Sequence, residues 1–331
     1  MSYRVKEENI DTFYNYQSGS GQALIWPSVF VLPTFLQTWW EAFGEGYEPF
    51  LQSIWDDRDL IGLAPLLRKG TEVRLAGSAD VCDYLDFIYA SDQENEFFQA
   101  LLPFLQKQGI KRLELQAQRP DAAVFKGLLA AQLPPAFEGF GVQIGLTRED
   151  ESYEVKLPST WEDYLAYLSK KQRHEVRRKI RRLERETAQY HYRPIEGSQA
   201  VEDFIPRFLE LFEQNPEKAD FLNAKMKRFF NTLLVNMARA GLARFGLLEI
   251  EGVNTAAILY FDYGGRIYLY NSGYSAEYGD LSVGLLSKIF GLKHSLEKGS
   301  CVFDFLKGRE VYKRRLGSTA LPIYNVVVEI K

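Results

Sequence analysis

The chain has 331 residues, a length that predicts two domains. Hydrophobic residues make up 46% of the chain and charged residues 25%, which are the proportions of an ordinary globular protein and exclude a disordered or fibrous one. Lysine and arginine number 40 against 44 aspartates and glutamates, so the net charge is −4. A surface that is basic throughout, as DNA-binding proteins often have, is therefore not expected, although a local basic patch remains open.

Cysteine and histidine are scarce, which bears on redox setting and on metal binding. The chain contains Cys82, Cys301, His174, His191 and His294. A chain of this size needs no disulfide, so two distant thiols predict a reduced, cytoplasmic setting. These residues offer no zinc-ligand spacing, so we expect no metal. The N-terminus has no signal-peptide pattern, and two prolines break the apolar stretch from residue 23 to residue 40, so we expect no membrane span.

The first half of the chain is predicted to place helices on either side of a run of strands. Apolar residues recur at helical spacing from Leu36 to Phe43, and Gly44 ends that helix. The elements that follow are the strands Phe50 to Trp55, Leu60 to Leu67, Glu72 to Ala76 and Tyr84 to Tyr89, a helix from about Asp92 to Gln108, and the strand Lys111 to Ala117.

The second half repeats this order at an offset of roughly 190 residues, as two copies of one αβ unit would. Helices are predicted around Phe204 to Phe212 and from about Leu222 to Ala240. The elements that follow are the strands Ala243 to Ile250, Thr255 to Asp262 and Arg266 to Asn271, a helix from Val283 to Leu296, and the strand Ser300 to Leu306.

Each half is therefore predicted to be a helix, an antiparallel meander, a second helix and a last strand. Because the last strand follows a helical crossover, it should pair in parallel with an earlier strand. The prediction is an α+β fold of two tandem domains, each a mixed, mostly antiparallel sheet packed by helices. We expect an N-terminal domain over residues 1–152 and a C-terminal domain over residues 153–331, which begins with the strand Tyr153 to Leu157.

Three segments resemble a known family. They are residues 157–185 (LPSTWEDYLAYLSKKQRHEVRRKIRRLER), residues 303–316 (FDFLKGREVYKRRL) and residues 77–86 (GSADVCDYLD). In combination they resemble one branch of the GNAT acyltransferases, the tandem-GNAT proteins similar to Fem peptidoglycan aminoacyl transferases and to acetyltransferases associated with cellulose biosynthesis. The resemblance extends from about Phe35 to Leu316. It implies two GNAT-like domains, the second catalytic and the first shaping the acceptor site or structural.

The turn before the helix at Val283 is the predicted site for an acyl carrier. Ser282 is placed to cap this helix, and Gly284 lets a ligand approach its first turn, where exposed N–H groups favour a pyrophosphate or a carboxylate. The resemblance implies acetyl-CoA or another acyl-CoA as co-substrate. The phosphate loop of ordinary GNAT enzymes, Q/R-x-x-G-x-G/A, is absent, and residues 278–284 (YGDLSVG) stand in its place. The identity of the carrier therefore stays open, and an ordinary helix start is the alternative.

A buried carboxylate is predicted near the end of the chain. Strand alternation places Asp304 on the opposite face from Phe303 and Phe305, where it must be paired, hydrogen-bonded or protonated. The basic residues that follow it could supply a structural ion pair. Alternatively, Asp304 or Glu310 accepts the proton of the substrate amine.

The resemblance also points to the pair Tyr312 and Lys313, which matches a YK motif of the family. In the Fem branch, the lysine of this motif is associated with stabilising the reacting group. Amine attack on a thioester or ester builds negative charge on one oxygen, and a fixed ammonium stabilises that charge. A surface lysine in a basic turn is the alternative.

The strongest local charge anomaly is the segment from residue 170 to residue 185, which is rich in lysine and arginine. Lys170, Arg173 and Arg177 are the candidates for binding an anion: the phosphates of CoA, a phosphorylated or nucleotide-linked acceptor, tRNA or anionic lipid heads. A solvated helix face laced with salt bridges is the alternative.

The main functional hypothesis is a cytoplasmic N-acyltransferase that moves an acyl group from acyl-CoA to an amine of an anionic acceptor, such as a sugar nucleotide or a cell-wall or envelope polysaccharide precursor. No activated nucleophile is apparent, so we expect direct transfer without a covalent enzyme intermediate. One alternative is a Fem-like transferase that uses aminoacyl-tRNA. Another is a binding module that has kept the GNAT fold without activity. DNA is not an expected partner, and peripheral membrane contact is left open.

Overall fold

The computed structural model of the chain describes residues 3–19, 24–78, 80–129, 141–215 and 222–331. The chain divides into two compact units, one of Met1–Asp150 with Pro322–Lys331 and one of Glu151–Leu321. The boundary expected at residue 152 lies close to this division. Assigning residues 322–331 to the C-terminal domain was wrong, because they pair as a strand within the first unit.

The first half of the chain follows the predicted order of helices and strands. Its helices are α1 (Ile10–Ser18), α2 (Pro33–Phe43) and α3 (Glu94–Lys107). Its strands are β1 (Tyr3–Glu7), β2 (Leu24–Ile25), β3 (Glu48–Asp56), β4 (Asp59–Lys69), β5 (Glu72–Leu75), β6 (Ile88–Ala90), β7 (Arg112–Gln118) and β8 (Val142–Lys156). A π-helical segment, Val124–Leu129, follows β7. The strand expected from residue 84 to residue 89 is wrong in its first part, since pairing begins only at Ile88.

The second half also follows the predicted order. Its helices are α4 (Trp161–Tyr167), α5 (Lys170–Glu186), α6 (Ser198–Glu213), α7 (Ala224–Arg239), α8 (Val283–Glu297) and α9 (Val311–Arg315). Its strands are β9 (Tyr190–Ile195), β10 (Ala243–Ile250), β11 (Val253–Tyr263), β12 (Arg266–Tyr274), β13 (Val302–Lys307) and β14 (Thr319–Ile330). A 3₁₀ turn, Ala276–Leu281, leads into α8. Among the described residues, no helix has both the length and the apolar content of a membrane span.

The sheet of the first unit has the order β1-β3-β4-β5-β7-β14. Its neighbours pair antiparallel except β5 and β7, which are joined by α3 and pair in parallel over three residues, beginning with Glu72 opposite Arg112. The parallel pairing predicted for the last strand of this copy is confirmed.

The second unit has the order β8-β13-β12-β11-β10-β9. Here β12 and β13, joined by α8, form the parallel pair, and the other neighbours are antiparallel. Each unit is thus a mixed, mostly antiparallel sheet with helices, so the predicted α+β class is confirmed.

Helix α8 is held against the sheet of the second unit by its apolar face. Leu286, Ile289 and Leu292 are buried in one cluster with sheet residues that include Leu248 and Ile258. Complete burial of each such side chain stabilises the fold by about 1.5–3 kcal/mol. This packing fixes the N-terminus of α8, where Gly284 lies against Tyr274 at the end of β12, in the region that the sequence singled out.

Candidate active site

The parallel strands β12 and β13 separate after a short common stretch. Their register runs from Arg266 opposite Val302 to Tyr268 opposite Asp304 and ends there. Beyond that point β12 stays paired with β11 as far as Tyr274, while β13 stays paired with β8. The two strands keep their outer partners but no longer pair with each other, so a wedge-shaped opening lies between them. We call this opening the β12–β13 wedge.

The N-terminus of α8 lies at the end of the chain segment that leaves β12. Ser282 occupies the predicted cap position, but its backbone is left-handed (φ 60°, ψ 37°) and its side chain does not cap the helix. Instead, Ser282 Oγ accepts a hydrogen bond from Lys179 Nζ of α5 at 2.8 Å. The N–H groups of Leu285 and Leu286 donate to the Ser282 carbonyl, whereas those of Val283 and Gly284 have no acceptor among the described residues, so a cation and free donors meet at this turn.

Gly284 has a different role from the one expected. A Cβ at this position would lie 2.8 Å from Cδ1 of Tyr274, so the ring of that tyrosine lies against the glycine. The Gly284 carbonyl accepts a hydrogen bond from the ammonium of Lys288 at 2.8 Å. The glycine therefore admits the Tyr274 ring to the first turn of α8, and Tyr274, which is 39% exposed, lies beside the turn predicted to bind the carrier.

Asp304 is completely buried, and both its oxygens have partners. Oδ2 lies 3.0 Å from Nη1 of Arg266, which also contacts Glu154 at 2.6 Å. Oδ1 accepts the backbone N–H of Leu306 at 2.8 Å. Leu306 has a positive φ of 63°, so this bond holds a strained residue at the point where β13 leaves its register. The geometry corresponds to the structural ion pair, one of the two alternatives for Asp304.

Lys313 is also buried, at 1% exposure, and its ammonium closes the turn after β13. It donates to the carbonyl oxygens of Leu306, Lys307 and Gly308 and lies 2.9 Å from the carboxylate of Glu310. An ammonium has three donors, so these acceptors occupy all of them. The Glu310 side chain is 56% exposed and stays open to solvent.

Tyr312 contacts both β13 and α8. Its ring contacts Phe305 edge-to-face, with ring centroids 6.0 Å apart, and the ammonium of Lys288 lies 5.0 Å from its centroid. Burial, and to a lesser degree the charge of Glu310, raise the pKa of the Tyr312 phenol well above its usual range. Its hydroxyl has no hydrogen-bond partner among the residues that the structure describes. The phenol is therefore protonated at neutral pH and can donate a hydrogen bond.

A second opening lies between the N-terminus of α5 and α9. This α5–α9 cleft has a volume of about 1030 Å³, and its basic lining residues are Lys170, Lys171, Arg178, Arg314 and Arg315. A capping box of Ser169 and Gln172 starts α5, and the Gln172 amide donates to the Arg314 carbonyl at 2.7 Å. Ser169 and Gln172 therefore cap the start of α5, and Gln172 also links α5 to α9.

The cations of the α5–α9 cleft differ in their pairing. Arg178 forms a two-pronged ion pair with Glu175, which lowers the pKa of that carboxyl to about 2. Arg314 contacts Glu151 at 3.2 Å. By contrast, Lys170, Lys171 and Arg315 have no carboxylate partner within the described ranges.

The three residues predicted to bind an anion fall in different places. Lys170 lines the α5–α9 cleft. Arg173 instead donates to carbonyl oxygens at the end of α4, including that of Leu165 at 3.2 Å. Arg177 is exposed but is not part of the cleft lining. The structure thus brings Lys170 together with Lys171 and Arg315, and not with the other two candidates.

Sequence reasoning counts Lys179 only as one of the cations of the basic segment, and it misses Lys288. Lys288 follows Gly284 by four residues and precedes Leu292 by four, so it lies on the buried face of α8, where a lysine is unusual and is itself a signal. The side chain of Lys179 is 15% exposed, and its place is set by the packing of α5 against α8. That packing leaves no local pattern in the sequence.

Comparison with known proteins agrees with this geometry. Residues 170–314, from the start of α5 to α9, match the model of the acetyltransferase (GNAT) domain family. Among solved structures, FemX is similar, with a TM-score of 0.65 and 12% identity over 99% of this chain and 97% of that one. A conserved protein of unknown function from Bacteroides thetaiotaomicron has a TM-score of 0.58 and 12% identity, with all of both chains covered, 100% each.

A third similar structure is the C-terminal domain of a putative lysylphosphatidylglycerol synthetase from Agrobacterium fabrum. Its TM-score is 0.52, with 12% identity over 81% of this chain and 80% of that one. At such identities the likeness concerns the fold. Comparison with curated proteins gives no match.

Proposed function

We propose that this chain, whose residues 170–314 match the GNAT acetyltransferase domain family and whose fold is similar to that of FemX, transfers an acyl group from acyl-CoA to an amine of an anionic acceptor. Acceptors of this kind include sugar nucleotides and precursors of the cell wall or of an envelope polysaccharide. The observation that carries the proposal is the separation of β12 from β13 beside the N-terminus of α8.

The carrier would lie in the β12–β13 wedge, with its phosphates at the first turn of α8, at Ser282, Val283 and Gly284. The helix dipole and the ammonium of Lys179, 2.8 Å from Ser282 Oγ, favour negative charge there. Lys179 thus supplies the positive charge in a turn that lacks the glycine-rich phosphate loop. Acyl-CoA contributes a thioester, which an amine can attack directly.

Two side chains are assigned to proton transfer. Tyr312 is assigned to the leaving sulfur: its phenol, protonated at neutral pH, donates a hydrogen bond as the C–S bond breaks, and the thiolate then takes a proton from it or from water. Glu310, more than half exposed, accepts the proton of the acceptor amine, directly or through water. Lys313 and Asp304 are assigned positioning roles, since the first holds the turn after β13 and the second holds Leu306.

The α5–α9 cleft is assigned to the anionic part of the acceptor. It contains three cations that no carboxylate neutralises in the described part of the chain, and Glu310 immediately precedes α9. A phosphate in the cleft would thus hold the acceptor near the proposed base. This arrangement accounts for a strongly basic helix in a chain whose net charge is −4.

The carrier assignment is tested by thermal shift with acetyl-CoA, succinyl-CoA and a long-chain acyl-CoA. A ligand at a hundred times its Kd stabilises a protein by about 2.7 kcal/mol, so we expect the melting temperature to rise by about 5 °C or more for the preferred donor. Lys179→Gln should weaken acyl-CoA binding about tenfold, because a hydrogen bond to a charged group is lost. The same variant should bind the acyl-pantetheine, which lacks the nucleotide phosphates, as the wild type does.

Arg185→Gln is the matched control, since Arg185 is an exposed cation on the same helix, 74% accessible and paired only with its neighbour Glu186 among the described residues. Its affinity for acyl-CoA should match that of the wild type. An absence of stabilisation by every acyl-CoA, or equal loss in both variants, would contradict the carrier assignment.

The unpaired cations of the α5–α9 cleft also favour a second candidate, transfer from aminoacyl-tRNA. Binding of RNA through several phosphates falls steeply as salt rises. Retention of tRNA at low salt that is lost at physiological salt, without any acyl-CoA binding, would favour this candidate. Tight acyl-CoA binding without RNA retention would exclude it.

A further inference from the structure

The start of α5 has a charge arrangement that works against helix stability. Lys170 and Lys171 occupy its first turn, which contains no acidic residue. The N-terminus of a helix carries partial positive charge, so cations there are unfavourable and anions favourable. Arg314 and Arg315, at the end of α9, face the same cleft and add to this field. Positive charge that costs stability is typical of a surface that meets an anion.

Two exposed apolar side chains lie beside these cations. Val311 lines the α5–α9 cleft and is 62% exposed. Tyr167, at the end of α4, is 61% exposed and lies close to Gly317, two residues after Arg315. A tyrosine and an aliphatic residue next to lysines and arginines match the composition of surfaces that insert into the headgroup region of a bilayer.

We propose that this surface docks the second unit on an anionic lipid bilayer. We define the docking surface as Tyr167, Lys170, Lys171, Val311 and Arg315. The cations contact lipid phosphates, and the two apolar side chains enter the headgroup layer. The proposal deepens the proposed function, because it places the anionic acceptor at a membrane surface, with its phosphate in the α5–α9 cleft. Binding itself needs neither acyl donor nor activity.

Charge complementarity selects the bilayer as the occupant. Each lysine or arginine near an anionic membrane increases affinity by about fivefold, so the three unpaired cations together contribute about 100-fold. RNA would also use these cations and could stack a base on Tyr167, but it gives no reason for exposing the aliphatic side chain of Val311 beside them. A small soluble phosphate would fill only part of a cleft of about 1030 Å³.

The test is sedimentation of the full chain, without acyl-CoA, with vesicles of phosphatidylglycerol and phosphatidylcholine in equal parts. We expect binding that weakens with salt, and none to phosphatidylcholine alone. The triple variant Lys170→Gln, Lys171→Gln, Arg315→Gln should lose about 100-fold in affinity. Tyr167→Ser with Val311→Ser should lose about tenfold, because two inserted side chains are removed.

Matched variants control for charge and for apolar area. Arg181→Gln, Arg185→Gln, Arg228→Gln removes the same charge from exposed sites of the same unit that lie outside the cleft, and should bind vesicles as the wild type does. Val253→Ser, at a hairpin where the side chain is 41% exposed, controls for the apolar pair. All altered residues are exposed, so unchanged melting curves will establish that the variants fold.

Three results would overturn the proposal. They are equal binding to neutral vesicles, equal loss in the two triple variants, and competition by glycerol 1-phosphate or tRNA that removes the protein from vesicles at matched phosphate concentration. If acyl-CoA fails to bind but anionic vesicles still do, the proposed function fails and the docking surface stands. If acyl-CoA binds but anionic vesicles do not, the docking surface is disproved and the proposed function stands.

Discussion

The two units differ at the opening between their two parallel strands. In the first unit, Leu85 lies between the ends of the parallel pair: its N–H donates to the Ala117 carbonyl of β7 at 3.2 Å, and its side chain packs on Gly77, which follows β5. Gln118 adds a bond to the Leu85 carbonyl at 2.6 Å. In the second unit, the connection after β12 folds into a 3₁₀ turn and α8, and β12 and β13 separate.

The copies are otherwise closely matched. The residue that follows the meander bonds back to the neighbouring strand in both, from Ala76 N–H to the Pro65 carbonyl and from Ser275 N–H to the Thr255 carbonyl. Both last strands also contain a residue with positive φ. The difference therefore lies in the connection. A plug of the chain's own residues suits a supporting unit, and an opening next to a helix N-terminus suits the unit assigned to chemistry.

The buried carboxylates of the two units extend this comparison, and they give the largest expected effect. Asp304 faces Arg266, whereas Asp86 accepts the N–H groups of Phe87 and Ala123. Burial is the main cause that raises the pKa of Asp86 from its usual 3.8 to about 8. Between these values the native state holds a proton that the unfolded chain has released. The free energy of unfolding should therefore fall as pH rises from about 4 to about 8, by at most about 1.4 kcal/mol per pH unit from this group.

Asp86→Asn keeps an acceptor oxygen for both N–H groups and removes the titration. Urea unfolding of both proteins at pH 5 and pH 8 measures the difference, and the variant should gain stability relative to the wild type at pH 8. Asp56→Asn is the control, because Asp56 is a half-buried aspartate of the same unit at the end of β3. If the free energy of unfolding changes with pH in the same way in the wild type and in Asp86→Asn, the raised pKa of Asp86 is contradicted.

The plug itself provides the second test. Leu85 is 2% exposed, so Leu85→Ala removes buried apolar volume and should lower the free energy of unfolding by about 2–5 kcal/mol. The affinity for acyl-CoA should not change, because the carrier is assigned to the other unit. Denaturant unfolding and acyl-CoA titration of the same variant check both statements. A variant that loses acyl-CoA binding while remaining folded would place the carrier in the first unit.

The sequence predicts the framework well because periodicity and turn residues are local signals. The spacing predicts α8 from Val283 to Leu296, and the helix runs from Val283 to Glu297; Gly44 is predicted to end α2 and does so. The same local signals cannot distinguish a strand from an extended plug. Residues 84–87 therefore look like a strand in sequence, although their partners are set by packing against Gly77 and β7.

The site was predictable in part. The positions of Ser282, Tyr312 and the basic helix follow from motifs and spacing. The pairing of each cation does not, because it depends on which carbonyl or carboxylate comes near after folding. Arg173 donates to carbonyl oxygens at the end of α4, and Lys313 donates to carbonyl oxygens of the turn after β13. Lys170 has no carboxylate partner in the described ranges. Charge counts alone could not separate these three.

The variant with the smallest expected effect on the free energy of unfolding tests the chemistry most directly. Tyr312→Phe removes the proposed proton donor from the open unit and should lower kcat about 100-fold, with little change in the KM for acyl-CoA. The hydroxyl has no hydrogen-bond partner in the described structure, so the melting temperature should stay within about 1 °C of the wild type. The measurement is release of the CoA thiol with a hexosamine phosphate as acceptor.

The matched control is Tyr263→Phe, which removes a phenol at the β11–β12 hairpin, at the other end of β12 from the wedge. It should keep the wild-type kcat. Because the phenol of Tyr312 keeps its proton well above neutral pH, the wild-type rate should not decline on the alkaline side up to about pH 9, where the acceptor amine becomes more reactive. If Tyr312→Phe retains full turnover, the proton reaches the thiolate from water, and the difference between the two units is one of binding alone.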